Sequence, residues 1–256
     1  MSINFAACKL LMNLAVYNKN TSLNSDKKYM KWLMLLISWA GEEKKRASKD
    51  RESAHELGNW ISHLLGLVFG IPAGVWLLSI AWETQSMSGI IACLLFVLAF
   101  NLLYFSSSLY HYMYGKPNRL LYRKLDHISI FFMIAGTYTP FLVIYLTNSV
   151  GELYLIILWA LVVVGIVYKI FLMGKFRWIS LMLYLSMAWV LIFNFPAFSS
   201  ALPALCLKWI IIGGVFYMLG VIFYVWKKIP FNHLIWHLFV CGGSLSHFIA
   251  VYYCIL

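Results

Sequence analysis

The sequence predicts an all-α integral membrane protein, a bundle of seven transmembrane helices. Three observations predict it. Of the 256 residues 62% are hydrophobic and only 11% are charged, against about 25% charged in ordinary soluble domains; the mean hydropathy is +0.80. From Asn59 onward, apolar runs long enough to cross a hydrocarbon core of about 30 Å recur with short connections between them. Lys and Arg gather in alternate connections, as they do where loops take sides of a membrane. A soluble helical domain would need charged faces that these runs lack, and runs of this length without alternation are not strands.

In chain order, residues 1–54 read as a cytoplasmic or membrane-surface extension. Phe5–Tyr17 and Tyr29–Ala40 are apolar but too short to span, and are expected as one or two helices lying on the membrane surface. Gly41–Glu52, with Glu42, Glu43, Lys44, Lys45, Arg46, Lys49, Asp50 and Arg51, is expected as a solvated linker. No small-residue cleavage site follows a basic segment, so no signal peptide is read. Residues 55–256 then form the seven-span domain, with spans near 58–82, 88–113, 126–147, 152–173, 177–196, 202–226 and 232–255. Pro117, Pro140, Pro196, Pro203 and Pro230 fall near span ends, where a helix is broken at least cost.

Basic residues precede span 1 and recur between spans 2 and 3 (Lys116, Arg119, Arg123, Lys124), between 4 and 5 (Lys169, Lys175, Arg177) and between 6 and 7 (Lys227, Lys228). The other connections, near Glu83, near Asn148 and from Pro196 to Pro203, hold none, and Lys208 is the one exception. The N-terminus is therefore expected in the cytoplasm and the C-terminus outside, opposite to a G-protein-coupled receptor. The net charge of +11 is read as this topology signal, and no nucleic-acid partner is expected. Cys8, Cys93, Cys206, Cys241 and Cys254 are scattered without paired spacing, and no disulfide framework follows.

The chemistry gathers around the last span. On a helix His237 lies about 40° from His233 on one side and His247 about 40° on the other, a single polar stripe in an apolar segment. His233 and His237 are one turn apart, close enough for one metal ion; His247 is about 15 Å further along than His237, too far for the same ion. The topology puts six of the seven histidines on one side of the membrane. Facing His233 and His237 there are Ser107 and His111 at the end of span 2, Asp126 and His127 opening span 3, and Glu56, Asn59 and His63 at helical spacing opening span 1.

A catalytic-type zinc site keeps three protein ligands and one open position for water. His111, His233 and His237 supply three. Asp126 is placed to act as the base for that water, and Ser107 to orient the water or a substrate oxygen. The competing reading is a set of buried polar groups hydrogen-bonding between helices. A di-iron bundle would need glutamates that spans 2, 3 and 7 lack. Haem between paired histidines leaves Asp126 and Ser107 idle, and an intramembrane serine protease would want a Gly-x-Ser context.

These residues resemble the hemolysin III family. The motifs are Glu56-x-x-Asn59-x-x-x-His63, Ser107-x-x-x-His111, Leu125-Asp126-His127 leading to Ile134-Ala135-Gly136-Thr137-Tyr138-Thr139-Pro140, and Pro230-Phe231-Asn232-His233-Leu234-Ile235-Trp236-His237-Leu238-Phe239-Val240 with His247. The match spans roughly residues 52–256. The family is related to the progestin and adipoQ receptors, which include adiponectin receptors. The resemblance implies seven spans with the N-terminus inside, and a zinc ion (Zn2+) held near the cytoplasmic face by His111, His233 and His237. It implies Asp126 and Ser107 beside the metal, and, through related alkaline ceramidases, lipid-amide hydrolysis.

Two functions are therefore expected to compete: a zinc-dependent hydrolase of the cell membrane acting on a lipid amide or ester, with a membrane lipid as its partner, and a non-enzymatic protein, either a cytolytic, hemolysin-like pore or a sensor of membrane state with structural zinc. A pore would want a polar stripe through the full depth of the bundle, and the outer halves of the spans offer little beyond Asn194, Ser244, Ser246 and His247. The topology itself is testable. A compartment-sensitive reporter fused after Leu256 should read as external, and one inserted between Gly115 and Lys124 as cytoplasmic; the opposite pair of readings would remove the argument that these residues share one leaflet.

Overall fold

A computed structural model describes residues 23–256 of the chain. The described residues are helical, without strands: α1 (Leu23–Thr84), α2 (Met87–Tyr112), α3 (Arg119–Tyr145), α4 (Ser149–Phe171), α5 (Arg177–Ala188), a 3-10 segment (Val190–Asn194), α6 (Phe195–Ala201), α7 (Ala204–Val225) and α8 (Asn232–Ile255). Seven helical stretches among them are long and apolar enough to cross a membrane. The chain divides into two compact units, one ending at Glu52 and the other Ser53–Leu256.

In the first unit, the patch Phe5–Tyr17 lies outside the described residues. Trp32, Leu36, Ile37 and Trp39 are exposed. Gly41–Glu52, expected as a linker, is helical. Ala, Lys, Arg and Glu are strong helix formers, and Glu42 stands four residues before Arg46, the favourable order for a helical ion pair.

In the second unit α2, α3 and α8 are the most buried helices, while α1, α4, α7 and the fifth span turn most of their surface outward. Phe96, Tyr104, Phe131, Phe141, Leu142 and Val251 are fully enclosed. Lipid is as apolar as a leucine side chain, so close approach of helices has to supply what water-driven burial supplies elsewhere. The sequence provides it with glycine. Gly66, Gly70 and Gly74 recur every four residues along one face of α1, and a methyl group on each would come within 2.2 Å of Tyr104, 2.7 Å of Phe100 and 2.5 Å of Val97 on α2. Gly165 on α4 seats the Phe131 ring, 2.6 Å from where its Cβ would be.

The fifth span differs from the continuous helix expected over 177–196. It breaks after Ala188 and resumes at Phe195. In an unbroken helix Pro196 would leave the carbonyl four residues earlier without its donor; the break puts Pro196 into the first turn of α6, where the missing N–H is harmless. The Ala188 carbonyl freed by the break accepts from the Tyr138 hydroxyl of α3.

Gly136 makes this packing testable. A Cβ there would sit 2.7 Å from the Ala99 methyl and 3.3 Å from the Leu95 carbonyl oxygen of α2, which is backbone and cannot rotate away. Gly136→Leu should separate α2 from α3 at a cost of about 1–3 kcal/mol, read as a clear fall in the melting midpoint of the detergent-purified protein.

Candidate metal centre

The centre forms where the last turn of α2 meets the first turns of α8. Phe231 takes a left-handed conformation (φ 57°) immediately before α8, with its ring packed on His55 at 4.0 Å. From this start His233 and His237 project one turn apart toward His111. One ring nitrogen from each of His111, His233 and His237 lies within 4.8 Å of the others, with His111 and His237 buried and His233 half-buried. The ring centroids are 5.3 Å apart for His111 and His233, 4.9 Å for His111 and His237, and 4.6 Å for His233 and His237.

Two of the rings are oriented from behind. Glu56 Oε2 accepts from His111 Nδ1 at 2.6 Å, and Glu56 Oε1 accepts from Arg119. His237 Nδ1 lies 3.3 Å from the Asn59 carbonyl oxygen and 3.2 Å from Ser62 Oγ, whose own hydroxyl donates to the same carbonyl. An imidazole that donates through Nδ1 keeps its lone pair on Nε2, the arrangement found behind metal-ligating histidines. His111 Nε2 is buried without a hydrogen-bond partner in the protein. Buried polar atoms are normally satisfied, and three converging imidazole lone pairs suit a borderline-soft divalent cation. The donor set fits a metal.

Ser107, one turn before His111, is 1% exposed and donates to the Asp126 carboxyl of α3. Asp126 also lies within electrostatic reach of His111. It is not among the three clustered donors. His63 of α1 stacks on His237, ring centroids 3.8 Å apart, and neither of its nitrogens has a hydrogen-bond partner.

Two placements differ from what the sequence implied. Lys169, expected in a connection, is inside α4 and only 2% exposed; Nζ donates to Ser180 Oγ at 2.7 Å and lies 3.0 Å from His127 Nδ1. A four-carbon stem can turn back into the bundle, which composition of a loop does not reveal. His247 does not share the direction of His237: its Nε2 lies 3.2 Å from the Ile210 carbonyl oxygen of α7, and the ring fills the space a side chain on Gly213 would need. The angle between the two, about 80° on a regular helix, carries it to a different neighbour. Glu56, read from its helical spacing with Asn59 and His63 as opening the first span, is inside α1 and holds a candidate ligand, a role the sequence does not assign to it.

The chain matches the Haemolysin-III related family over residues 52–248. It belongs to the hemolysin III family. It is 40% identical over 201 residues to the "Hemolysin-3 homolog" of Bacillus subtilis (strain 168), covering 78% of this chain and 94% of that protein. It is 37% identical over 201 residues to "Hemolysin-3" of Bacillus cereus, covering 78% and 92%. Human "Monocyte to macrophage differentiation factor", a member of the progestin and adipoQ receptor group, is 28% identical over 185 residues, covering 67% of this chain and 71% of that protein. With its seven apolar spans this hemolysin III protein is a multi-pass membrane protein, and every side chain of the centre falls within the matched stretch.

The backing hydrogen bonds generate a test. His111→Ala should lose most of the bound metal, and Glu56→Gln should lower metal affinity by roughly 10–100-fold, whereas His247→Ala should retain metal. Metal content of purified protein by mass spectrometry, with a chelator titration, measures all three.

Proposed function

We propose that this hemolysin III protein is an integral-membrane, zinc-dependent hydrolase that cleaves an amide or ester bond of a lipid reaching the site sideways from the bilayer, at a centre near the cytoplasmic face. The observation that carries the reading is the convergence of His111, His233 and His237 beside a Ser107–Asp126 pair that supplies no ligand. A purely structural site closes all its positions with protein donors, while a catalytic one leaves one open.

Zinc held by the three imidazoles would supply Lewis acidity toward a carbonyl oxygen and toward water. The rest is the work of the chain. Asp126 takes the proton of the attacking water on a carboxylate oxygen and returns it to the departing amine or alcohol, so that water is added across the bond without net acid or base. Ser107 donates to that carboxylate and fixes its rotamer. Glu56 and the Asn59 carbonyl hold His111 and His237 in the tautomer that leaves Nε2 free. The surrounding α2 and α3 residues keep bulk water away, which strengthens each of these interactions.

The names of the two Bacillus relatives favour a second reading, a cytolytic protein without turnover. Three of the four outer polar groups speak against an open pore, because they are spent on contacts within the protein: Ser244 with Tyr104, Ser246 with the Gly242 carbonyl of its own helix, and His247 with the Ile210 carbonyl. Asp126→Asn separates the readings. It preserves size and hydrogen-bonding shape but cannot take a proton, so it should keep zinc while turnover falls by about 10²–10⁴-fold. Ser107→Ala, which removes a hydrogen bond and no charge, should be milder. The assay is fatty-acid release from ceramide-like and ester lipids by zinc-loaded protein in liposomes; a zinc-replete wild type inactive on every lipid class would leave the cytolytic or sensing reading in possession.

A further inference from the structure

The charges that face the centre do not balance. Two carboxylates are turned toward it, Glu56 and Asp126. Four cations surround them. Arg119 pairs with Glu56. Arg123 lies within electrostatic reach of both Asp126 and His233. Lys169 lies within reach of Asp126 from α4, and Lys227, at the rim between α7 and α8, within reach of His233. Basic residues in this end of the bundle are expected from topology alone, but topology asks only that they lie in water. Arg119 and Arg123 are instead half-buried, and Lys169 is buried. A divalent metal would add to the positive excess.

Arg119 shows what the excess is shaped for. Its guanidinium carbon lies 4.8 Å from the ring centroids of both Tyr110 and Tyr114, cation–π contacts that restrain its position. One edge donor is committed to Glu56, and Nε is buried without a hydrogen-bond partner. A guanidinium held between two tyrosine rings with an unmet donor in its fork suits a planar or tetrahedral oxyanion, and phosphate is the oxyanion that membrane lipids carry in their head groups. A neutral lipid would leave three buried or half-buried cations, Arg119, Arg123 and Lys169, against two carboxylates; a phosphate brings the compensating charge and acceptors together.

We infer that the lipid taken by this site carries a phosphate-bearing, anionic head group, held by Arg119 and Arg123 at the mouth of the metal centre. The inference rests on the site being a lipid site, as proposed above, and names the class of lipid; it does not require that the lipid be cleaved.

The test is binding of chain-matched lipid pairs to detergent-purified, zinc-loaded protein by native mass spectrometry: phosphatidic acid against diacylglycerol, and ceramide 1-phosphate against ceramide. The phosphate-bearing member of each pair should bind about 10-fold or more tightly, the scale of one charge-assisted bidentate contact. The preference should shrink in Arg123→Gln, and in Arg119→Gln checked for retained metal, and persist in Lys228→Gln, which removes a charge from the exposed rim. Equal binding of the neutral partners, or a preference that survives both arginine substitutions, overturns the inference. So does inorganic phosphate or a free fatty acid binding as tightly as the phospholipid, since the site would then read a free ion or a product carboxylate. Cleavage assays on the same pairs keep the two readings apart: selective binding of phospholipids without cleavage of any lipid removes the hydrolase and leaves this inference, while cleavage confined to neutral lipids does the reverse.

Discussion

Glu56 divides its two carboxylate oxygens between His111 and Arg119. Everything at this end of the bundle is arranged around that division. A carboxylate in an apolar surround is costly unless it is paired and hydrogen-bonded; here one oxygen is matched by a guanidinium and the other by an imidazole N–H. In return the carboxylate fixes which nitrogen of His111 carries the proton and which is presented to His233 and His237. The α1 residues Asn59 and Ser62 act in the same way on His237. The first span thus contributes no candidate ligand and yet orients two of the three.

The fold was legible because the constraint behind it is blunt. A bilayer admits helices whose backbone groups are satisfied internally and little else, so length and apolarity of the runs located all seven spans, with every end within seven residues except the start of the first, which continues a helix already running from Leu23. The fifth was less legible, because Pro196 can sit at the end of a helix or open a new one, and the choice depends on Tyr138 reaching across from α3 to satisfy Ala188. The histidine cluster was legible from spacing on α8 and from the side of the membrane on which His111 falls. What spacing could not convey was direction. Lys169 looks like a loop charge until its side chain is seen turned toward His127, and His247 looks like a member of the stripe until its neighbour is seen to be α7 rather than α2. Glu56 gave a signal in its periodicity with Asn59 and His63, but a helix face has to meet another helix before its role is defined.

The glycines explain how so many bulky polar groups fit. Gly66 makes room for Tyr104, which in turn meets Ser244; Gly213 makes room for His247; Gly243 lies against the Tyr217 ring, 2.8 Å from where a Cβ would be. Tyr104 also stands edge-on to His63, ring centroids 5.1 Å apart. Packing density and polar satisfaction, separate problems in a water-soluble core, are solved here by the same residues.

His111 and His233 are more than a hundred residues apart in the chain, and the helices that carry them are the second and the last to cross the membrane. A single ion shared among His111, His233 and His237 would therefore close the four spans between the second and the last into a ring, with the strength of a coordination bond and the reversibility of an equilibrium. Its thermodynamic effect would resemble that of a long-range cross-link, which acts chiefly by restricting the open chain. The metal status of the cell would then be written into how tightly the spans of this protein hold together, quite apart from any reaction at the centre.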